Sequence, residues 1–174
     1  TTLFRSKQLK QQTLDTFDIK KEIQVIYNFI DFARFRKQHK NHFKVAIAPN
    51  GEKILTHVSN FRKVKRVQDV ISIFEKVHKE IPSKLFLIGD GPERRSMEAM
   101  CRELGLCEDI RFLGKQDAVE ELLDISDLFI IPSENESFGL AALEAMACEV
   151  PVISSNAGGL PEVNIHGVTG YLSD

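Results

Sequence analysis

No stretch of this 174-residue chain approaches the roughly 18 consecutive apolar residues that a membrane helix requires. Its first residues also lack the apolar core of a signal peptide. A soluble, cytoplasmic protein is therefore the expectation. Cysteine is scarce: Cys101, Cys107 and Cys148 are odd in number and lack metal-ligand spacing. That argues against a disulfide framework or a zinc site and for reduced, partly buried thiols. Net charge is small as well, at −2, but it is unevenly spread. Residues 1–66 hold 15 Lys+Arg against 5 Asp+Glu, whereas residues 67–174 hold 8 against 20. A basic half can serve nucleic acid. Here the cations are scattered through helix and loop patterns without interleaved aromatics, so attraction of an anionic small substrate is the better match.

At 43% hydrophobic residues the chain can bury one sizeable core. Short apolar runs read as strands at Ile23–Tyr27, Lys53–Val58, Lys84–Ile88, Ile110–Gly114, Leu128–Ile131 and Pro151–Ser155. Between them, apolar residues at 67, 70, 71, 74, 77 and 81 follow the helical period, and helices are also predicted from Glu93 to about Leu104 and over Val119–Leu123. Residues 1–17 have helical composition, Asp31–Phe35 suggests one helical turn, and Arg36–Glu52 reads as a polar connector, often a mobile kind of segment. Strands alternating with helices predict an α/β fold: a Rossmann-like, doubly wound parallel sheet.

Two loops carry the chemistry. The first, Ser59-Asn60-Phe61-Arg62-Lys63-Val64-Lys65-Arg66, packs four cations between a strand and a helix. Open α/β sheets bind ligands at the carboxyl ends of their strands; on charge alone a solvated loop is the alternative. The second follows Leu128–Ile131 and runs through Glu136-Ser137-Phe138-Gly139 into an Ala- and Leu-rich helix predicted to start near Phe138. The first amides of that helix are unpaired and carry the positive end of its dipole, a place to hold phosphate. Glu144 would then stand about two turns along, roughly 10 Å from Glu136 at the helical rise. From the pair alone, surface glutamates remain an alternative. Gly89-Asp90-Gly91-Pro92 begins like a dinucleotide fingerprint but has Arg94 where the third glycine belongs, so a nicotinamide dehydrogenase is not supported.

The wider string is more specific. Pro132-Ser133, Glu136-Ser137-Phe138-Gly139-Leu140, Glu144-Ala145-Met146-Ala147 and Pro151-Val152 together resemble the signature of family-four retaining glycosyltransferases. The resemblance implies a GT-B enzyme of two Rossmann-like lobes, of which this chain is a truncated C-terminal, nucleotide-binding lobe. Residues 1–22 would be the end of the N-terminal lobe or an interlobe helix, and residues 23–174 the incomplete nucleotide-sugar-binding lobe. It also implies roles. Lys65 would grip the donor diphosphate, and Asn60 falls where relatives commonly carry arginine, with Arg62 two residues on to supply the missing charge. Glu136 would hold sugar hydroxyls and, with Lys65, form the catalytic pair. Ser137 and the amides of Phe138, Gly139 and Leu140 would meet sugar or phosphate, Glu144 the ribose, and Gly114 the base. Gly158-Gly159 would let backbone approach the sugar.

The chain departs from the family pattern at Tyr27, which replaces a proline, and at Glu149, which replaces the glycine that ends the helix. A non-glycine residue in a left-handed conformation costs on the order of 1 kcal/mol, so helix termination is expected to differ locally. There is no Asp-x-Asp, so no metal and no cofactor are implied.

Within the family, Ser59-Asn60-Phe61-Arg62, Val64-Lys65-Arg66-Val67, Phe112-Leu113-Gly114-Lys115-Gln116-Asp117 and Ser137–Glu144 look like the branch serving bacillithiol biosynthesis. That branch transfers N-acetylglucosamine from UDP-N-acetylglucosamine to L-malate. The implied partners are a UDP-sugar and a small dianionic acceptor held through the other lobe, with no nucleic acid and no membrane; a homo-oligomer is left open. The alternatives are an isolated nucleotide-sugar-binding module without activity, another family-four transferase with a different acceptor, and a sugar-nucleotide epimerase built on the same two lobes.

Overall fold

The computed structural model describes residues 2–39 and 41–174. Its elements are β1 (Thr2–Phe4), α1 (Lys7–Thr16), β2 (Ile23–Val25), α2 (Asn41–Ile47), β3 (Lys53–Val58), α3 (Val67–Glu80), β4 (Ser83–Ile88) and α4 (Arg94–Glu103). They continue with β5 (Ile110–Gly114), α5 (Val119–Asp124), β6 (Leu128–Ile131), α6 (Leu140–Ala147), β7 (Val152–Ser155), α7 (Leu160–Val163) and β8 (Gly170–Ser173). Strands β3 to β8 form one sheet in the order β5-β4-β3-β6-β7-β8 with every neighbouring pair parallel. This is the expected doubly wound architecture.

The order explains where a ligand can sit. From β3 the chain winds outward through β4 to β5, and from β6 it winds the opposite way through β7 to β8. The reversal lies between β3 and β6, so the loops leaving their carboxyl ends lead to helices packed in different cores, the arrangement that places a ligand crevice outside those ends. Those loops are the basic turn and the glutamate loop.

Helices cover both faces, so the central strands are buried on both sides rather than alternately buried and exposed. On one face Val67, Val70, Ile71 and Phe74 of α3 and Met97 of α4 pack on Leu55, Leu85 and Leu87. On the other, Ile54, Phe86 and Ile88 meet Ala48 and Ile125, while Ala142 and Ala145 of α6 pack on Phe129, Ile131 and Val152. Consecutive residues of β4 thus enter different cores.

Three local expectations differ. Residues 36–52 are not only a polar connector: they contain α2, whose end delivers Ile47 and Ala48 to the core beside Ile54 and Phe86. Residues 1–17 are not helical throughout, because β1 precedes α1 and pairs in parallel with β2, Leu3 opposite Gln24 and Phe4 opposite Val25. Helix α6 begins at Leu140, two residues later than Phe138. Phe138 is instead buried, its ring 5.9 Å from that of Tyr27, and Gly139 at the helix cap has φ 96°, a conformation that excludes earlier helix. The expected helical turn is present, with the Phe35 amide donating to the Asp31 carbonyl at 2.8 Å.

Glu149 adopts the left-handed conformation that glycine would take, at φ 60°. The Val150 amide donates to the Ala145 carbonyl at 3.0 Å and the Glu149 amide to Met146 at 2.9 Å. Helix termination follows the usual double-bonded pattern, with strain in place of glycine.

Candidate functional site

The basic turn is shaped by one core residue. Phe61 is fully buried among α3 side chains and takes φ 36°, which folds the following residues back over the sheet edge. Lys63–Lys65 form a single 3-10 turn, and Arg66, at φ 50°, hands the chain to α3. Beneath it His57 of β3 is completely buried. Its Nδ1 lies 2.8 Å from the Ile130 carbonyl and its Nε2 2.8 Å from Ser59 Oγ. The carbonyl only accepts, so Nδ1 carries the proton and Nε2 accepts the Ser59 hydroxyl. Ser59 Oγ in turn accepts the Phe61 amide at 3.3 Å. Burial pushes the imidazole down from 6.5 to about 4, with nearby Lys65 acting in the same direction and the Ile130 hydrogen bond opposing them. This neutral ring ties β3, β6 and the start of the basic turn together.

The glutamate loop is bonded directly to that turn. The Glu134 amide donates to the Val64 carbonyl at 2.9 Å, and Lys65 Nζ donates to Glu136 Oε2 at 2.5 Å with both side chains largely covered. Lys65, Glu136 and Ser137 line one cavity of about 340 Å³. Behind the loop, Gly158 at φ 58° has no space for a side chain: a Cβ there would fall 2.2 Å from the Glu136 carbonyl oxygen. The Gly159 amide also donates to that carbonyl at 2.6 Å. The glycine pair therefore presses against the glutamate loop and holds Glu136 in place, a more specific job than the open approach expected from sequence.

No side chain caps α6, so its first amides are available to an anion; Leu140 does not line the cavity of Lys65 and Glu136 but a separate hollow of about 590 Å³ with Phe4, Tyr27 and Phe29. Leu140 is partly exposed there, whereas Phe138 serves the core. Glu144 stands in the second turn, partly buried; burial raises its carboxyl above the usual range, Arg34 opposes this and Glu120 adds to it. Arg34 is itself held by Glu120 Oε2, at 2.9 Å from Nε and 2.8 Å from Nη2, and by the Asp117 carbonyl.

Not every residue singled out in the sequence joins this cavity. Arg62 lines a neighbouring hollow of about 410 Å³ with Lys63, Arg66, Glu93 and Glu134. Asn60 is exposed at the apex of the turn. Gly114 closes β5 at the same carboxyl edge, its carbonyl accepting the Gly89 amide at 2.7 Å, two strands from β3. Among the described residues no group of three or more His, Cys, Asp or Glu could hold a metal ion, and no helix is long and apolar enough to cross a membrane.

Two contributors went unrecognised in the sequence. Helix α1 forms the far wall of the 340 Å³ cavity through Gln8, Leu9 and Gln12. Glu162 of α7 accepts the Lys7 amide at 2.9 Å, the Gln8 amide at 2.8 Å and the Tyr27 hydroxyl at 3.1 Å. These contacts span at least 135 residues of chain, so no local pattern announces them. The nearest signals were Glu162 beside the glycine pair and the glutamines at positions 8 and 12, one helical turn apart.

Residues 38–174 match the family model described as glycosyl transferases group 1. The N-acetyl-alpha-D-glucosaminyl L-malate synthase of Bacillus anthracis is 49% identical over 173 residues, which is 97% of this chain and 45% of that protein. An uncharacterized glycosyltransferase of Methanocaldococcus jannaschii is 33% identical over 173 residues, 95% of this chain and 44% of its own length. Among solved structures, Anabaena HepE in complex with UDP and glucose shares the fold at a TM-score of 0.90 and 23% identity, over 98% of this chain and 48% of that one. The chain spans about half the length of the curated relatives it matches.

Proposed function

The chain belongs to the glycosyl transferases group 1 family, and from that membership we propose that the crevice between β3 and β6 binds a UDP-sugar. The parent protein would transfer N-acetylglucosamine from UDP-N-acetylglucosamine to L-malate. The 49% identity to the Bacillus anthracis synthase supports the choice of donor and acceptor, and the UDP in the HepE complex supports the nucleotide.

The observation that carries the reading is the 2.5 Å contact of Lys65 with Glu136 in a cavity at the point where the strand order reverses. In this scheme the ammonium of Lys65 exchanges its carboxylate partner for the diphosphate. It then stabilises negative charge that grows on the leaving group as the glycosidic bond breaks, an effect larger in the transition state than in the ground state. The amides opening α6, near Gly139 and Leu140, share that charge. Glu136, once released from Lys65, is free to accept hydrogen bonds from sugar hydroxyls, with Ser137 and the Phe138 amide beside it. In this scheme Glu144, in the second turn of α6, accepts the ribose hydroxyls, and its partial burial would strengthen such bonds. Gly114 main-chain groups face the base, while Asn60 and Arg62 give a second, outer ring of polar contacts.

The test is UDP release by the full-length protein mixed with UDP-N-acetylglucosamine, with and without L-malate. Malate-dependent release supports the synthase. Binding of UDP with no turnover in the presence of malate leaves a nucleotide-sugar-binding module, and conversion of the donor to a second UDP-sugar without acceptor and without UDP release indicates an epimerase.

A further inference from the structure

Helix α1 is fixed over the cavity by its own N-terminus. Ser6 Oγ accepts the Leu9 amide at 3.1 Å, and the two oxygens of Glu162 take the Lys7 and Gln8 amides. Of the first amides, which lack partners inside a helix, three are therefore satisfied, two by a residue of α7. This clamp sets the rotation of α1 about its axis. Gln8 and Gln12, four residues apart, consequently share the face turned to Lys65, Asn135, Glu136 and Ser137.

The state of these glutamines is distinctive. Gln11 on the same helix spends its amide on Asp15 at 2.8 Å, whereas among the described residues neither Gln8 nor Gln12 has a side-chain hydrogen bond. The two border a second cavity of about 370 Å³, which shares Gln8, Gln12 and Asn135 with the first and is also lined by Gly158. A carboxamide offers two donors and an acceptor without net charge, which suits hydroxyl groups, each both donor and acceptor. It suits a phosphate or a dicarboxylate poorly, because such anions call for cations, and the only cation lining this cavity among the described residues is Lys65.

We propose that Gln8 and Gln12 are sugar-selecting residues: their free carboxamides form the wall opposite Glu136 and hydrogen-bond the ring substituents of the transferred hexose. This rests on the donor site described above. Lys65 and the α6 amides hold the diphosphate, Glu136 meets the sugar from one side, and α1 meets it from the other. Glu162 is the positioning residue that keeps α1 in register.

The experiment uses the full-length protein with Gln8→Ala, Gln12→Ala and the double substitution. Both positions are exposed and alanine is the better helix former, so the fold is retained. Two quantities are read: UDP affinity by calorimetry, and kcat/KM for UDP-N-acetylglucosamine, UDP-N-acetylgalactosamine and UDP-glucose. Each substitution is expected to lower kcat/KM for the preferred donor about tenfold and to flatten the preference among the three, as for a lost hydrogen bond, with UDP affinity unchanged within about twofold. Unchanged donor selectivity, or a rise confined to the KM of the acceptor, would overturn the assignment while leaving the donor site standing. A wild type that binds no UDP would sink the donor site and this wall with it.

Discussion

Acid should destabilise this protein through one imidazole. His57 is fully buried with its Nδ1 proton committed to the Ile130 carbonyl and its Nε2 to the Ser59 hydroxyl. A second proton on Nε2 would leave that hydroxyl without its acceptor and place a charge in the core. The group titrates near 6.5 when exposed and is pushed to about 4 in the fold. Between those values the unfolded chain binds a proton that the native chain refuses, so stability rises with pH across the interval. The contribution is whole above pH 6.5 and is lost as pH falls toward 4. At 1.36 kcal/mol per unit, the interval amounts to about 3 kcal/mol, a large share of the total stability of a typical domain. The assay is urea denaturation at pH 7, 5.5 and 4 of the wild type beside His57→Asn, which can keep a donor for Ile130 and does not titrate. Carboxylates affect both proteins alike, so the wild type should lose about 3 kcal/mol more than the variant between pH 7 and 4. Parallel losses in the two proteins would refute the reasoning.

Glu149→Gly should stabilise the protein by about 1 kcal/mol, because relief of left-handed strain and of a negative charge at a helix C-terminus outweighs the added freedom of the unfolded chain. Calorimetry should then show Tm higher by about 2–4 °C, and a lower Tm would contradict the strain. Glu162→Ala should speed hydrogen exchange of the α1 amides and lower kcat/KM while UDP affinity holds, with Glu162→Gln partly restoring protection; unaltered exchange at Lys7 and Gln8 would refute the clamp. Glu144→Ala should weaken UDP binding about tenfold, as for loss of bonds to a carboxylate, whereas Glu136→Ala should mainly lower turnover. Equal UDP affinity for wild type and Glu144→Ala would remove Glu144 from the ribose.

Much of this was readable in the residues. The apolar run at Leu128–Ile131 and the helical period of Val67, Val70, Ile71 and Phe74 are strong because burial on both sides of a parallel sheet leaves little room for other choices. The two chemical loops could be placed because each follows such a strand. The seven-residue α2 lay hidden in a polar stretch too short to display a period. The start of α6 was displaced by tertiary packing, Phe138 against Tyr27, which overrides composition. Arg62 and Lys65 are close in sequence yet enter different hollows, because the 3-10 turn between them redirects the side chains. Glu162 reaches the first turn of α1 through contacts that exist only once the chain has closed on itself, and the placement of Gln8 and Gln12 over the cavity follows from that fold.

At the centre of the account is a cradle made by Lys65 and the opening of α6 for the donor diphosphate. Calorimetric titration of UDP into the full-length wild type and into Lys65→Met tests it most directly. Loss of a charge-assisted bond, with Glu136 left facing the phosphates, should weaken binding by about tenfold to a hundredfold. Identical affinities for the two proteins would contradict the cradle.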